Sequence, residues 1–567
     1  MDGYAVRFTD TMAATGSAPL RSLLGDKTLE INRDEPVPPG FDAVIAIEEV
    51  NQVSADEVEI TAPATPWQHV RTLGQDMIAS ELILPADHLI KPADAAALQA
   101  GGIAKLQVRR LPAVAMIHLG SGSGALSDMA LGIAAGMAEE LGAEVFRREI
   151  VADDFAHLLS EMRHAVKDCD LALFSAGSAG ASAVQILQLM NELGEVLVDK
   201  VRIDPGGGVI LGSADGRPLV YMPEDPASAA LLVELFVKPL IVRMQGLKPF
   251  PGPTVSAAVP IEITSPHGVD SFIRVKLGKA GKRLIAVPIE RTAGSLLTLV
   301  QADGILHVPE EIEKILPGEE TAIEIHGNLE EVTTAVVIVG SRDMVLDILV
   351  SDFGKKHPGK MLSASRTGSM EGLMTLARGE AHMACVSLLD TEAGAYNSVH
   401  VRKYLPNRKI TLINLVFKEL GLIVKKGNPK DILSLEDLTR EDVSFINQTG
   451  GSRIRTLLDY RLRLRGIAAG TIRGFEREED SEMAAAAAVF DGIADAGMGT
   501  AAAAAALGLD FVPFASERID LAIPSEFIEE PTVESVVGIL RSAEFRNKIA
   551  ALSGYDSSRS GEIVGQT

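Results

Sequence analysis

Two cysteines in 567 residues, Cys169 and Cys385, stand far apart and form no CxxC pair. That excludes a disulfide framework and a thiolate zinc site, and leaves two small residues suited to burial. None of the eleven histidines falls at HExxH or similar spacing, so no His-based metal site is expected. Aromatics are only 4% of the chain, too few for a surface that stacks bases. Positive charge is also short, 53 Lys and Arg against 77 Asp and Glu, for a formal net charge of -24. Nucleic acid would meet repulsion unless a local basic or amide-lined pocket overrode it, and is not expected as a partner. No run of eighteen apolar residues occurs, and the first thirty residues lack a basic stretch followed by an apolar core. Neither a membrane span nor a secretory signal is expected, and the cytoplasm is the default location.

What the chain has in quantity is small and aliphatic: 47% hydrophobic residues and 52 Gly suit α/β layers. The length is enough for several domains, at roughly 100–200 residues each. Residues 1–109 read as short strands and turns (Asp42–Ile47, Val58–Ile60), punctuated by Pro36, Pro38, Pro39 and Gly40, with one helix at Pro92–Ala100. From Leu111 strands and helices alternate: Ala113–Leu119 strand, Leu126–Leu141 helix, Glu144–Ile150 strand, Phe155–Val166 helix, Leu171–Ser175 strand. The alternation predicts a parallel sheet covered on both faces over residues 110–247, whose ligands sit beyond the strand C-termini. The Pro-rich stretch Lys248–Pro253 leads into four strand-like segments and a small β-barrel or sandwich over 248–330. A linker is expected at Gly327–Val332, followed by a second βα series over 333–553, with the alanine runs Ala484–Ala488 and Ala501–Ala506 as helices. The fold class expected is thus multidomain α/β, with the last unit able to fold alone.

Two phrases carry a family resemblance: Met1-Asp2-Gly3-Tyr4-Ala5 and Gly294-Ser295-Leu296-Leu297-Thr298-Leu299-Val300-Gln301-Ala302-Asp303-Gly304-Ile305. With Val70-Arg71-Thr72-Leu73-Gly74-Gln75-Asp76 between them, residues 1 to about 328 resemble the molybdopterin molybdenumtransferases, the family of MoeA and the E domain of gephyrin. The resemblance implies a homodimer that inserts molybdate into adenylylated molybdopterin with release of AMP and a divalent cation such as Mg²⁺. It implies an N-terminal β domain, a molybdopterin-binding α/β domain and a small β-barrel domain. It implies catalytic roles for Asp2, Arg71, Asp76 and Asp128, although Asp128 could equally do no more than cap its helix. It places the pterin on Ser175, Gly177, Ser178, Pro205, Gly206, Pro223, Asp225 and Ser228. The glycines of these loops serve as well for tight turns alone. The family's N-terminal helical segment before the Met-Asp-Gly-Tyr phrase is absent, so translation starts further upstream or part of the dimer-forming arm is missing.

Several positions depart from the family pattern. Ser182 stands for an acidic residue, Gly120-Ser121-Gly122 for Gly-Asp-Glu, Asp204-Pro205-Gly206-Gly207-Gly208 for Lys-Pro-Gly-Lys-Pro, and Pro223-Glu224-Asp225-Pro226 for Pro-Gly-Asn-Pro. The last two changes lower the net charge near the ligand by about five units, and each such unit is worth several kcal/mol at 4 Å in a half-wet site. Weaker binding of a polyanionic pterin is the expectation, and a catalytically degenerate binding or regulatory protein is the alternative function.

The C-terminal half resembles the two-lobed periplasmic-binding-protein-like domain fused to homologues of this enzyme, on the phrases Leu388-Leu389-Asp390, Gly427-Asn428-Pro429, Phe445-Ile446-Asn447, Gly451-Ser452 and Ala494-Asp495-Ala496-Gly497. Ser341, Thr367, Ser369, Thr449 and Ser452 are hydroxyls in Gly-rich loops, suited to an oxyanion such as molybdate or tungstate, and Arg455 adds a charge. Ser387, Gln448 and Arg453-Ile454 depart from the pattern, which leaves the preferred ligand open.

Overall fold

The computed structural model describes residues 2–33, 35–120, 125–152, 154–176, 182–249, 252–289, 296–341 and 343–567, without the side chains of 125–128. The chain divides into two compact units, residues 1–109 and 110–567.

In the first unit Gly3–Val6 lies between Thr28–Ile31 and Ala43–Ala46, both antiparallel to it. A second antiparallel trio sets Glu57–Ile60 between Leu20–Leu23 and Val50–Gln52. Val6, Ile45 and Ile60 fill the space between them. Gly3 is required by packing: a Cβ there would sit 2.2 Å from the Ile45 carbonyl oxygen. Pro92–Ala100 is helical, as its sequence predicts.

The second unit opens with a six-stranded sheet. Glu144–Ile150, Ala113–Leu119, Leu171–Ala176 and Arg217–Tyr221 run parallel, and Ile210–Ala214 and Glu195–Asp199 continue antiparallel at one edge. The expected parallel sheet therefore carries an antiparallel hairpin. Alternation along Ala113–Leu119 sends Ala115 and Ile117 to one face, under the helices Phe155–Lys167 and Ala183–Leu193. Val114 and Met116 go to the other face, under Ala125–Glu140 and Pro226–Leu232. Strands buried on both faces read as unbroken apolar runs, which is why they were legible.

The next strands close on themselves. Asp270–Ala280, Arg283–Pro288, Thr254–Ala258, Glu320–Ile325 and Gly304–Val308 pair in sequence, and Gly304–Val308 pairs back with Asp270–Ala280, making a small barrel. Ile273, Val275, Leu306 and Ile323 pack inside it. Where a linker was expected at 327–332, Asn328 caps a short helix, Leu329–Thr334. The barrel is not tethered loosely. Ala258, Ile285 and Val287 share one core with Val337, Val339 and Leu373 of the following lobe, so a fragment starting at 333 would expose apolar surface that the barrel covers.

Two fifteen-residue antiparallel strands, Ile410–Val424 and Asp510–Pro524, run through both C-terminal lobes. Val336–Gly340, Leu362–Ala364 and Met383–Val386 extend the sheet on one side and form the first lobe. Ala496–Thr500 and Phe445–Gln448 extend it on the other and form the second. Strands beyond residue 553, Tyr555–Asp556 and Ile563–Gln566, pair with Ile410–Val424 and complete the fold. Among the described residues no helix is long and apolar enough to cross a membrane.

Candidate functional site

Sequence reasoning pointed to three clusters. In the first unit, the Asp2 carboxylate accepts the Arg33 backbone N–H at 2.6 Å, while Arg71 and Asp76 are exposed. Among the described residues no hydrogen bond or ion pair links these three.

The second cluster lies beyond the C-terminal ends of the parallel strands. Ser175, fully buried, sits opposite His118 at the end of its strand, and the neighbouring Phe174 carbonyl accepts the Met222 N–H at 2.9 Å. This register brings Ser175 beside the turn Pro223–Asp225. Asp225 caps the helix Pro226–Leu232: its Oδ2 accepts from the Ser228 amide at 2.7 Å and from the Ser228 hydroxyl at 2.6 Å. Its other oxygen, Oδ1, is buried without a hydrogen-bond partner. Leaving a carboxylate oxygen dry and unsatisfied is costly, and such an atom is a ready acceptor for a ligand N–H. The Asp204–Pro205 bond is cis and Gly206 has φ +98°, turning the loop against Leu232 of the same helix. A Cβ on Gly208 would stand 3.5 Å from Pro223, so the two loops are neighbours. Ser175, Pro205, Gly206, Pro223, Asp225 and Ser228 are thus brought to one end of the sheet. Gly177, Ser178 and the Asp128 side chain lie outside the described residues. Burial raises the Tyr221 pKa, and the negative Glu224 adds to the shift. Ser182, where the family pattern has an acid, caps Ala183–Leu193, its Oγ accepting from the Gln185 N–H while its own N–H donates to Gln185 Oε1. The position has a structural use here. Among the described residues no three His, Cys, Asp or Glu groups converge as metal ligands.

The third cluster is the cleft between the C-terminal lobes. Ser341 Oγ and Ser369 Oγ are 2.6 Å apart, and Ser369 Oγ accepts the Ser387 N–H at 2.9 Å. Thr367 Oγ1 accepts the Gly340 N–H. In the second lobe Thr449 contacts Asp480, and Ser452 caps the helix Arg453–Leu464. Arg455 pairs with Asp459 and Glu478 and lies 4.2 Å over the Phe475 ring, so its charge is already spent on its own lobe. The arginine of the cleft is Arg453. It binds the carboxylate of Glu517, which is buried on the strand Asp510–Pro524 and also accepts from Ser387 Oγ at 2.6 Å. Arg453 also faces Glu482 at 3.5 Å; Glu482 faces Lys418 at 3.6 Å; Lys418 faces Asp343 at 3.3 Å. Burial works against the Arg453 charge, but Glu517 and Glu482 outweigh it and raise the pKa. The chain of ion pairs runs from the first lobe (Asp343) to the second (Glu482, Arg453).

Sequence reasoning missed Asp343, Lys418, Arg453, Glu482 and Glu517 as members of this network, and the buried Asp520 beside it. A signal existed in the strands: Lys418-Glu419 and Glu517-Arg518 interrupt long, largely apolar strands, so one charge of each pair falls on a buried face, and buried charges are paired. Cross-strand register places Lys418 opposite Glu517. Asp520, also buried, has its pKa raised by burial against the pull of Arg518, Asn397 and Asn414.

Comparison with known families and proteins follows the same division. Residues 1–102 match the MoeA N-terminal region (domain I and II), 114–243 a probable molybdopterin binding domain, 256–325 the MoeA C-terminal region (domain IV), and 350–541 a PBP superfamily domain. The uncharacterized protein YvgK of Bacillus subtilis is 32% identical over 231 residues, 41% of this chain and 74% of that protein. Molybdopterin molybdenumtransferase 2 of Mycobacterium tuberculosis is 28% identical over 57% of this chain and 87% of its own. A MoeA molybdopterin biosynthesis protein from Pyrococcus horikoshii is similar in structure at TM-score 0.43 and 28% identity, covering 57% of this chain and 86% of that one.

Proposed function

The chain belongs to the MoeA family, with a PBP-like domain at its C-terminal end, and from that premise we propose that it acts in molybdenum cofactor biosynthesis, inserting molybdate into adenylylated molybdopterin with release of AMP. The observation that carries the reading is the unpartnered buried Oδ1 of Asp225 at the sheet ends, within the span that matches a molybdopterin binding domain. A pterin carries ring and amino N–H donors suited to that acceptor. Ser175, Pro205, Gly206, Pro223 and Ser228 would line the same loops, with Gly177 and Ser178 completing them. Asp2, Arg71, Asp76 and Asp128 are proposed for the reaction centre, the first three supplied by the second subunit of a cytoplasmic homodimer.

In this reading the C-terminal cleft holds the oxyanion, molybdate or tungstate. Ser341, Thr367, Ser369, Thr449 and Ser452 are its proposed hydroxyls, Arg453 its cation, and Arg455 a support for the second lobe. The oxyanion would compete with Glu517 for Ser387 and Arg453. Tethering the two modules raises the local oxyanion concentration near the pterin.

Incubating the pure protein with adenylylated molybdopterin, Mg²⁺ and molybdate tests the transferase directly: AMP should appear in proportion to enzyme. A second reading, a pterin-binding regulator without turnover, is favoured by the use of Ser182 as a helix cap where the family pattern has an acid. Tight pterin binding with no AMP release would select it.

A further inference from the structure

A cavity of about 350 Å³ lies between the barrel and the first C-terminal lobe. Its barrel wall includes Lys276, Pro288 and Leu297, and its lobe wall includes Leu346, Val350 and Ser365. The volume is within the range of about 300–1,000 Å³ typical of small-molecule sites.

The strand Asp270–Ala280 decides what faces this space. Gly278 is pressed against the lobe, where a Cβ would meet Val337 at 2.5 Å and Ser363 at 3.4 Å. Side chains two residues apart share a face, so Lys276 points to the same side as Gly278, towards the lobe strand Leu362–Ala364 and the residues after it. Lys276 is half-buried; among the described residues its side chain makes no hydrogen bond or ion pair, and its charge acts on the nearby Asp303. Across the cavity the Ser365 hydroxyl is buried and has no hydrogen-bond partner. A void left only by imperfect packing would be apolar throughout, or would have its hydroxyl satisfied by the protein. Here an ammonium and an orphan hydroxyl lie beside a wall that is aliphatic at Leu297, Leu346 and Val350 and that also carries Thr298, Gln301, Asp347 and Arg366.

We propose that this cavity binds a small amphipathic anion, an apolar or aromatic body with a single carboxylate, sulfonate or phosphate head. The head lies on Lys276 and Ser365, and the body lies against Leu297, Leu346 and Val350. Because the ligand touches both barrel and lobe, its binding stabilises their junction.

The test uses the full chain and two fluorescent probes of similar shape, anionic 8-anilinonaphthalene-1-sulfonate and uncharged N-phenyl-1-naphthylamine. The sulfonate should bind one saturable site per chain with blue-shifted emission and raise the melting temperature. Lys276→Met should weaken the sulfonate about ten-fold and change the amine less than about two-fold. Val350→Trp should weaken both by filling the cavity. Should that variant fail to fold, Leu297→Glu, at a position 58% exposed, should weaken the sulfonate by repulsion more than it weakens the amine. Absence of a saturable sulfonate site, or sulfonate affinity unaltered by both Lys276→Met and a folded cavity variant, would overturn the proposal.

Discussion

The sheet-end loops and the inter-lobe cleft are built from the same material, Gly- and Ser-rich turns leading into helix starts, yet they differ in how their polar atoms are satisfied. At the sheet ends Asp225 spends one oxygen on its helix cap and leaves the other buried without a partner. In the cleft Glu517 is bound by Ser387 and Arg453, and Arg453, Glu482, Lys418 and Asp343 continue the pairing across both lobes. The first arrangement lacks a partner that a ligand can supply. The second already holds an internal carboxylate where an anion would bind, so an incoming oxyanion must displace it. A loop that looks like an anion cradle in sequence is therefore a site only to the extent that the fold leaves its donors or acceptors unspent.

The comparison breaks most sharply at Arg453. Arg453→Met leaves the Glu517 carboxylate buried and uncompensated, and should destabilise the C-terminal lobes by roughly 3–5 kcal/mol in urea unfolding followed by circular dichroism. Adding Glu517→Leu should restore much of that loss. A single variant as stable as the parent would mean that the cleft is not held by this pair.

Acid sharpens the contrast at the junction of lobe and barrel. His382 Nδ1 accepts the Val337 N–H at 3.1 Å, and burial lowers its pKa from 6.5 to about 4. The depressed value favours the neutral ring in the folded state, so its contribution is fully present above pH 6.5. It is lost as pH falls through about 4, for a total near 3 kcal/mol. His382→Gln should flatten the fall in melting temperature over that window; equal acid slopes in both proteins would refute the assignment.

Charge at the sheet ends gives a smaller effect. Glu224→Gln removes one negative charge beside these loops while leaving the Asp225 acceptor in place, and should tighten adenylylated molybdopterin about ten-fold, or 1.4 kcal/mol. Calorimetric titration checks this, and unchanged affinity would remove charge from the argument. Least is expected of Ser452→Ala. Loss of the cap on Arg453–Leu464 should cost about 1 kcal/mol in the same urea assay, and no loss would show that the cap is dispensable.

How much of this was legible follows from sequence separation. The strand Ala113–Leu119 and the helix Phe155–Lys167 were readable because periodicity and apolar runs are local. The helix at Leu329–Thr334 was read as a linker because its six residues are too few to show a period, and only the Asn328 cap announces it. Barrel closure and the shared core of Ala258 with Val337 join distant segments, and no local pattern encodes them. The same holds at the candidate sites. Asp225 could be named from its family phrase, but its empty oxygen depends on the packing around the helix it caps. Arg455 was chosen because it lies in the matching family phrase, from which Arg453 departs, and only the fold shows Arg455 paired with Glu478 and Arg453 paired with Glu517.

The most direct test of the central claim is a calorimetric titration of adenylylated molybdopterin into the full chain and into Asp225→Ala. The account predicts one site per chain, weakened at least about ten-fold in the variant beyond any change in folding stability. Equal affinity in the two proteins would contradict it, because the pterin would then not be using the acceptor that the sheet ends leave free.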